Sequence, residues 1–487
     1  MSPATLTPAV AAREDGLDRP LAEVDGAVLD PVPMVEIYAE IFEAAASSGP
    51  AGLLYVLPAA LSILLLIAKG APPPWRTGER PRARSLAGRG GRDAGTTASG
   101  GAPRRILMTI NLLFRAGAET QLRNLAIGLS RQGHDVTLLA VEDVVAFRDE
   151  LEAAGVRLEV LGARGRRQKL RALPALVRAA RRADLVHCTG WDASLWGRLA
   201  AIVARRPVVV SEHAGDRNLQ VSRGGVPRAR LIALHNRLLD RATNATVVVS
   251  TAQRPVLESE GVRPGSIVLI PNGVPIEELR RRADAGDARD SLGIPTTAAV
   301  VLHVARFASP KRQETTLRAV ARLRERFGDV RVVFAGDGDT EAEVRQEASR
   351  LKADWASFLG SRDDVPALLR AADLAVLPSS AEGLPMSLIE AMAVGTPVVA
   401  TDVGDVRRLL ETTGGGLCVP AGDDDAFVVA CGRVLGDAGL RERLRQAGLS
   451  GASDFDSARM VQRYGELFEA AIASPLRVGA AEPVPAA

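Results

Sequence analysis

Aromatic side chains are scarce in this chain, at 3% of 487 residues, and cysteine is scarcer still, at three. Cys188, Cys418 and Cys431 cannot all pair, and their spacing is not that of metal ligands. This excludes a disulfide-stapled scaffold and a thiolate metal site, and it fits a reducing compartment. Net charge is also low, +3 at pH 7, which gives no case for a nucleic-acid partner. The G-x-G-x-x-G fingerprint of nicotinamide-binding enzymes is missing, which argues against an oxidoreductase. Hydrophobic residues, by contrast, reach 47%, enough for substantial cores, beside 46 glycines and 29 prolines. The length exceeds what one cooperative core usually covers.

The first hundred residues read differently from the rest. Residues 1–50 are weakly patterned, with one short amphipathic helix expected over Val35 to Ala46. Ala51 to Ala68 carries no charge, and 51–69 is expected to be a transmembrane or membrane-associated helix near the lower length limit for a span. The alternative is an apolar helix docked on protein. Acidic residues precede this stretch and Lys69, Arg76, Arg80, Arg82, Arg84, Arg89 and Arg92 follow it. That asymmetry places the C-terminal part in the cytoplasm, with the arginines against an anionic leaflet. Residues 70–103, rich in Gly, Pro, Arg, Ser and Thr, read as a disordered basic linker.

From Arg104 the pattern becomes alternating strand and helix, the grammar of a parallel α/β sheet. Arg104 to Ile110 opens a first domain over 104–280, followed by Gly117 and a helix through Leu129. Gly117 can bring backbone amides near an anion at that helix terminus, although a plain tight turn has the same sequence. Strands ending at His187 and His213 follow. His213, at a strand's polar edge, is a candidate ligand contact, whereas His187 fits a structural histidine equally well. Arg164, Arg166, Arg167, Lys169, Arg171 and Arg178 form a basic stretch, either a solvated helix face or a contact for a membrane or anionic acceptor.

A charged linker is expected over Arg280 to Asp290, and the alternation restarts in a second domain over 281–454. After its first strand, Arg306 offers a planar fork and Lys311 a point charge, a sound pairing for a diphosphate. Gly336-Asp337-Gly338 ends the next strand. The organising unit is Ala375 to Asp402: a strand, a polar loop, a helix opened by Leu384-Pro385-Met386, and a strand after Gly395-Thr396-Pro397. Parallel sheets place ligands at such a carboxyl edge. Glu382, in the loop beside Gly383, and Glu390, on the helix behind it, are placed to touch different parts of one ligand. A long helix is expected to Ala473, with a loose tail over 474–487.

Glu382-Gly383-Leu384-Pro385-Met386-Ser387-Leu388-Ile389-Glu390 is similar to the paired-glutamate signature of the family 4 retaining glycosyltransferases, group 1, which have the glycosyltransferase-B fold. Arg306 with Lys311, Pro271-Asn272-Gly273-Val274 and Gly336-Asp337-Gly338 match further motifs in order, so the resemblance covers about Arg104 to Ala473. It implies two Rossmann-like α/β domains facing across a cleft, the acceptor on the N-terminal one and the nucleotide-sugar on the C-terminal one. A helix over 455–473 would return to the first domain. Glu390 would accept from ribose hydroxyls. Glu382 would contact the transferred sugar, together with the amides of Gly383 and Leu384. Arg306 and Lys311 would hold the diphosphate, with Gly117 approaching from the opposite domain and Gly336 lining the donor site. His213 would contact or orient the sugar.

The resemblance implies retaining transfer of a hexosyl group from a nucleoside diphosphate sugar, a UDP- or GDP-sugar, to a glycan, lipid-linked or polysaccharide acceptor. No obligatory cofactor and no metal are expected, because the cationic clamp makes a metal unnecessary. The alternatives are a sugar-nucleotide epimerase of the same fold and an inactive membrane-associated scaffold; for location, the alternative to the cytoplasmic membrane is a soluble cytoplasmic enzyme. Ala116 and Ala305 stand where the family more often has glycine, and the stretch after Val274 lacks a frequent aspartate.

Overall fold

A computed structural model describes residues 102–114, 117–213, 236–284 and 288–473. The short helix, apolar stretch and basic linker expected over 1–101 lie outside the described residues, as does the tail after 473. Among the described residues no helix is long and apolar enough to cross a membrane.

Thirteen strands in this region form two parallel sheets. The first comprises β1 (Arg105–Leu113), β2 (Asp135–Val144), β3 (Arg157–Val160), β4 (Leu185–Thr189), β5 (Val208–Glu212), β6 (Ala245–Val248) and β7 (Ile267–Leu269). Their order is β3-β2-β1-β4-β5-β6-β7. The second contains β8 (Ala299–Val304), β9 (Val330–Ala335), β10 (Ala356–Phe358), β11 (Leu374–Leu377), β12 (Val398–Thr401) and β13 (Gly416–Val419), ordered β10-β9-β8-β11-β12-β13. Both share the doubly wound arrangement in which strand order reverses beside the first strand, opening a crevice at the carboxyl ends. Central strands such as β4 and β11 are buried throughout, which explains the wholly apolar run of β11.

Helices cover both faces of each sheet. In the first half, α1 (Gly117–Arg131) lies on one face and α2 (Arg166–Arg182) with α3 (Trp191–Ala204) on the other. Sharing the core with α1 is the last helix, here α8 (Ser457–Ala473), through Met460, Val461, Tyr464 and Phe468. The two helices touch closely because position 128 is glycine: a Cβ there would stand 2.3 Å from Val461.

The described residues of the stretch expected as a charged linker, 280–284 and 288–290, are packed instead. Its front forms α4 (Ile276–Ala283), whose Ile276, Leu279 and Ala283 enter the second core beside Leu368 and Leu369. Spaced three and four apart, these residues make a narrow apolar stripe that the surrounding arginines outnumber. The arginines are themselves engaged: Arg280 donates to the carbonyls of Ala393 and Leu449, and Arg289 to Ala371 and Asp373. The chain therefore crosses between halves earlier, at Gly273-Val274. There it runs parallel to the returning strand, Val274 N–H donating to Phe455 O at 2.9 Å and Ser457 N–H to Val274 O at 2.9 Å. At Gly273 a Cβ would stand 2.7 Å from Ser457 Cα, so glycine lets the two crossings lie side by side.

Candidate active site

The loops leaving β8, β9 and β11 converge on one edge of the second sheet. After β8 the chain passes Arg306 and turns through Ser309–Lys311 into α5 (Gln313–Phe327). After β11 it passes Ser379 and Glu382 into α6 (Met386–Ala393). Lys311 Nζ lies 2.6 Å from Glu382 Oε1, and Ser379 Oγ donates to the same oxygen at 2.7 Å. Glu382 has a side chain only 8% exposed, so its charge is held by two donors in a place poor in water. Ser379 is fixed in turn by Thr401, whose hydroxyl donates to the Ser379 carbonyl at 2.5 Å. Ser379 was not distinguished in the sequence, where a serine three residues before a glutamate has no special signal.

Arg306 shares the loop with Lys311 but is more than half exposed, its guanidinium 4.0 Å from Asp339. Gly336 lies flush against this loop with φ +139°: a Cβ would stand 2.1 Å from Ala305 O. Gly338 repeats the relationship, 2.2 Å from Phe307 O, while Phe307 N–H donates to Asp337 O at 2.7 Å. The glycines thus seat the arginine loop, a packing reason for the Gly-Asp-Gly motif.

Glu390 is partly exposed on α6. Burial is the first cause pushing its carboxyl up to about 7, with Arg282 and Arg123 pulling the other way. Arg123 belongs to α1 of the opposite half. Among the described residues no side chain hydrogen-bonds to the Glu390 carboxylate.

The first half meets this edge at several points. Gly117 opens α1, exposed and with open space where a Cβ would sit. One turn on, Gln121 donates to Met386 Sδ at the start of α6 and clasps the crossover peptide, donating to Gly273 O at 3.0 Å and accepting from Gly273 N–H at 2.9 Å. Asn272 reaches the Leu384 carbonyl at 3.5 Å. Gly383 is held from outside its own loop, its carbonyl accepting from Asp405 N–H at 3.0 Å.

His213 follows β5, and burial depresses its imidazole to about 4, so it is neutral at pH 7. It lines a small void with Gln121, Thr189 and Asn272. His187 has a different role. It is 1% exposed, pushed down to about 3 by burial, and bonded through Nε2 to Ser211 Oγ at 2.7 Å. Ser211 continues to Tyr464 of α8 at 2.8 Å, so this histidine ties the returning helix to the first sheet. Among the described residues no cluster of three His, Cys, Asp or Glu could hold a metal ion.

Two family models match the chain in succession: the family 4 glycosyltransferase model over residues 115–278 and the group 1 glycosyl transferase model over 284–450. A D-inositol 3-phosphate glycosyltransferase from Salinispora arenicola is 31% identical over 61% of this chain and 71% of its own length. The chain belongs to the family 4, group 1 glycosyltransferases. A phosphatidyl-myo-inositol mannosyltransferase from Mycolicibacterium smegmatis is 30% identical, covering 67% of this glycosyltransferase and 82% of the relative. Among solved structures, Anabaena HepE in complex with UDP and glucose aligns with TM-score 0.66 and 24% identity over 75% of this chain and all of its own. Sucrose-phosphate synthase from Thermosynechococcus elongatus aligns with TM-score 0.62 and 22% identity over 76% of this chain and all of its own. These likenesses show the glycosyltransferase-B fold, and the protein is a transferase. Neither the epimerase nor the scaffold reading gains support from them.

Proposed function

We propose that this glycosyltransferase moves a hexosyl group, with retention, from a nucleoside diphosphate sugar to a glycan or lipid-linked acceptor. The observation that carries the reading is the carboxyl edge of the second sheet, where Lys311 meets Glu382 beside the Arg306 loop, and where Gln121 of α1 touches Met386 at the start of the helix that bears Glu390. The anomeric carbon–oxygen bond to the diphosphate breaks, and a bond to the acceptor oxygen forms on the same face. The acceptor proton passes to the departing diphosphate. Arg306 and Lys311 stabilise the charge that grows there, assisted by amides near Gly117. Glu382 with the Gly383 and Leu384 amides orients the sugar, and Gly336 keeps the arginine loop in place. Glu390, without a side-chain hydrogen-bond partner among the described residues, accepts hydrogen bonds from the ribose hydroxyls. His213, neutral, hydrogen-bonds the sugar rather than supplying charge. The roles of the two glutamates lie in recognition, not in a glycosidase pair.

The acceptor is read as anionic and membrane-borne. One helix face presents Arg167, Arg171, Arg178, Arg181 and Arg182 to solvent, and α2 carries no acidic residue. The mannosyltransferase relative is named for a phosphatidyl-inositol acceptor. Residues 51–69 and the basic linker would hold the enzyme at the cytoplasmic face. Calorimetry of the full-length protein against UDP, GDP and ADP tests the donor site: one nucleotide should bind, and Glu390→Ala should weaken it. Binding of none by folded protein would overturn the reading.

A further inference from the structure

Asp405 stands at the N-cap of α7 (Val406–Thr413). An aspartate there ordinarily turns back to accept an amide from its own helix's first turn. This one makes no such bond. Its two oxygens point instead to the first half: Oδ2 accepts from Thr251 N–H at 2.8 Å and Oδ1 from the Thr251 hydroxyl at 2.6 Å. Asp405 is 7% exposed. A nearly buried carboxylate of one half is thus bonded twice to a single residue of the other.

The same residue touches the donor loop through its backbone. Asp405 N–H donates to Gly383 O at 3.0 Å. The preceding Gly404 has φ +57°, and a Cβ there would stand 2.3 Å from Glu382 O and 2.6 Å from Gly383 O. The Gly404-Asp405 turn therefore lies flush on the Glu382-Gly383 peptide. On the other side, Gln253 secures the turn that carries Thr251. Its Oε1 accepts from the amides of Val249 and Ser250, and its Nε2 donates to Glu212 O, next to His213. Contacts run without a gap from the end of β5 through Thr251 and Asp405 to Gly383, Glu382 and Lys311.

We infer that Asp405 is a positioning residue that makes the donor loop sense contact between the halves. This rests on the donor-site reading above. The crossing strands at Val274 and Ser457 are bonded to each other and can serve as a hinge; the Thr251–Asp405 pair joins the halves away from it and breaks when they part. Engaged, it holds Gly383 and the Glu382 backbone in the arrangement that receives the nucleotide-sugar. By linkage, bound nucleotide must favour the engaged state to the same degree.

The test uses the full-length protein with UDP, GDP and ADP as probes, followed by calorimetry and thermal melting. Thr251→Val removes the hydroxyl donor at nearly constant volume, Thr251→Ser keeps it, and Asp405→Asn keeps the side chain's shape but replaces one acceptor oxygen. Thr251→Val and Asp405→Asn should each weaken the best-bound nucleotide about five- to tenfold, and Thr251→Ser should bind as the parent does. Lower melting temperatures with unchanged Kd, or equal weakening by Thr251→Ser, would overturn the inference. Should Thr251→Val fail to fold, Asp405→Asn decides by the same criterion. If the parent binds no nucleotide, the donor-site reading falls and the inference with it; if the parent binds and the variants bind equally, only the inference falls.

Discussion

Lys311 and Glu382, 71 positions apart in sequence, meet at 2.6 Å where the loops after β8 and β11 converge. Each makes the other's burial tolerable. Removing the ammonium leaves Glu382 with the Ser379 hydroxyl as its donor among the described residues. Lys311→Ala should therefore cost about 1–3 kcal/mol of stability and abolish measurable transfer, because the diphosphate loses its point charge. Denaturant titration and an assay of nucleotide release check the two effects separately. Near-normal turnover in folded Lys311→Ala would remove Lys311 from the site.

Glu390 predicts a pH dependence of opposite sign for affinity and stability. Burial raises its carboxyl to about 7 in the folded protein, above the ordinary 4.5. Its contribution to stability is fully present below about pH 4.5 and is lost as pH rises through about 7. Glu390→Gln should accordingly gain melting temperature relative to the parent between pH 5 and pH 8. Over the same range the parent's nucleotide affinity should rise, since the charged carboxylate is the better acceptor of ribose hydroxyls. A flat affinity profile would detach Glu390 from the ribose.

At Gly336 the limiting factor is space. A methyl group would overlap the Ala305 carbonyl at 2.1 Å, and φ +139° already disfavours an L side chain. Gly336→Ala should shift the Arg306 loop, costing about 1–3 kcal/mol and weakening nucleotide binding at least as much as Arg306→Ala. Calorimetry on both variants provides the comparison.

Acid should destabilise the fold before carboxylates are the main cause. His187, His213 and His303 are held down to about 3, 4 and 3 by burial. Their neutral forms contribute stability above pH 6.5 that is lost as pH falls toward 4, because only the unfolded chain takes up the protons easily. The urea midpoint should drop steeply over that interval. His303→Gln should flatten the slope.

The returning helix anchors in the first core through Phe468, 2% exposed beside His187 and Tyr464. Phe468→Ala should cost about 3–5 kcal/mol, measured by urea unfolding.

Much of the fold and several site positions were legible because each rests on a local signal. Buried parallel strands demand mostly apolar runs, so β8, β9, β11 and β12, with at most one polar residue each, stand out directly. Proline near a helix start and glycine after its end bracket α6. The basic pair and the two glutamates are chemically distinctive at their spacing. Ile276, Leu279 and Ala283 show where such reading fails: a three-residue stripe among arginines looks like a linker until Leu368 and Leu369 supply its partner surface. Ser379, Gly404 and Asp405 likewise carry no local mark.

The sequence by itself determined the alternation of strands and helices, the carboxyl-edge location of the charged residues and the resemblance to a glycosyltransferase family, since all three follow from residue type and short-range spacing. Tertiary structure alone decided that Lys311 neutralises Glu382, that Gly336 seats the Arg306 loop, that His187 binds the returning helix, and that Asp405 gives up its cap to hold Thr251. These are pairings across 30 to 280 positions of chain. Their energies depend on which surfaces the packed sheets bring into contact and deprive of water, and no window of neighbouring residues contains that information.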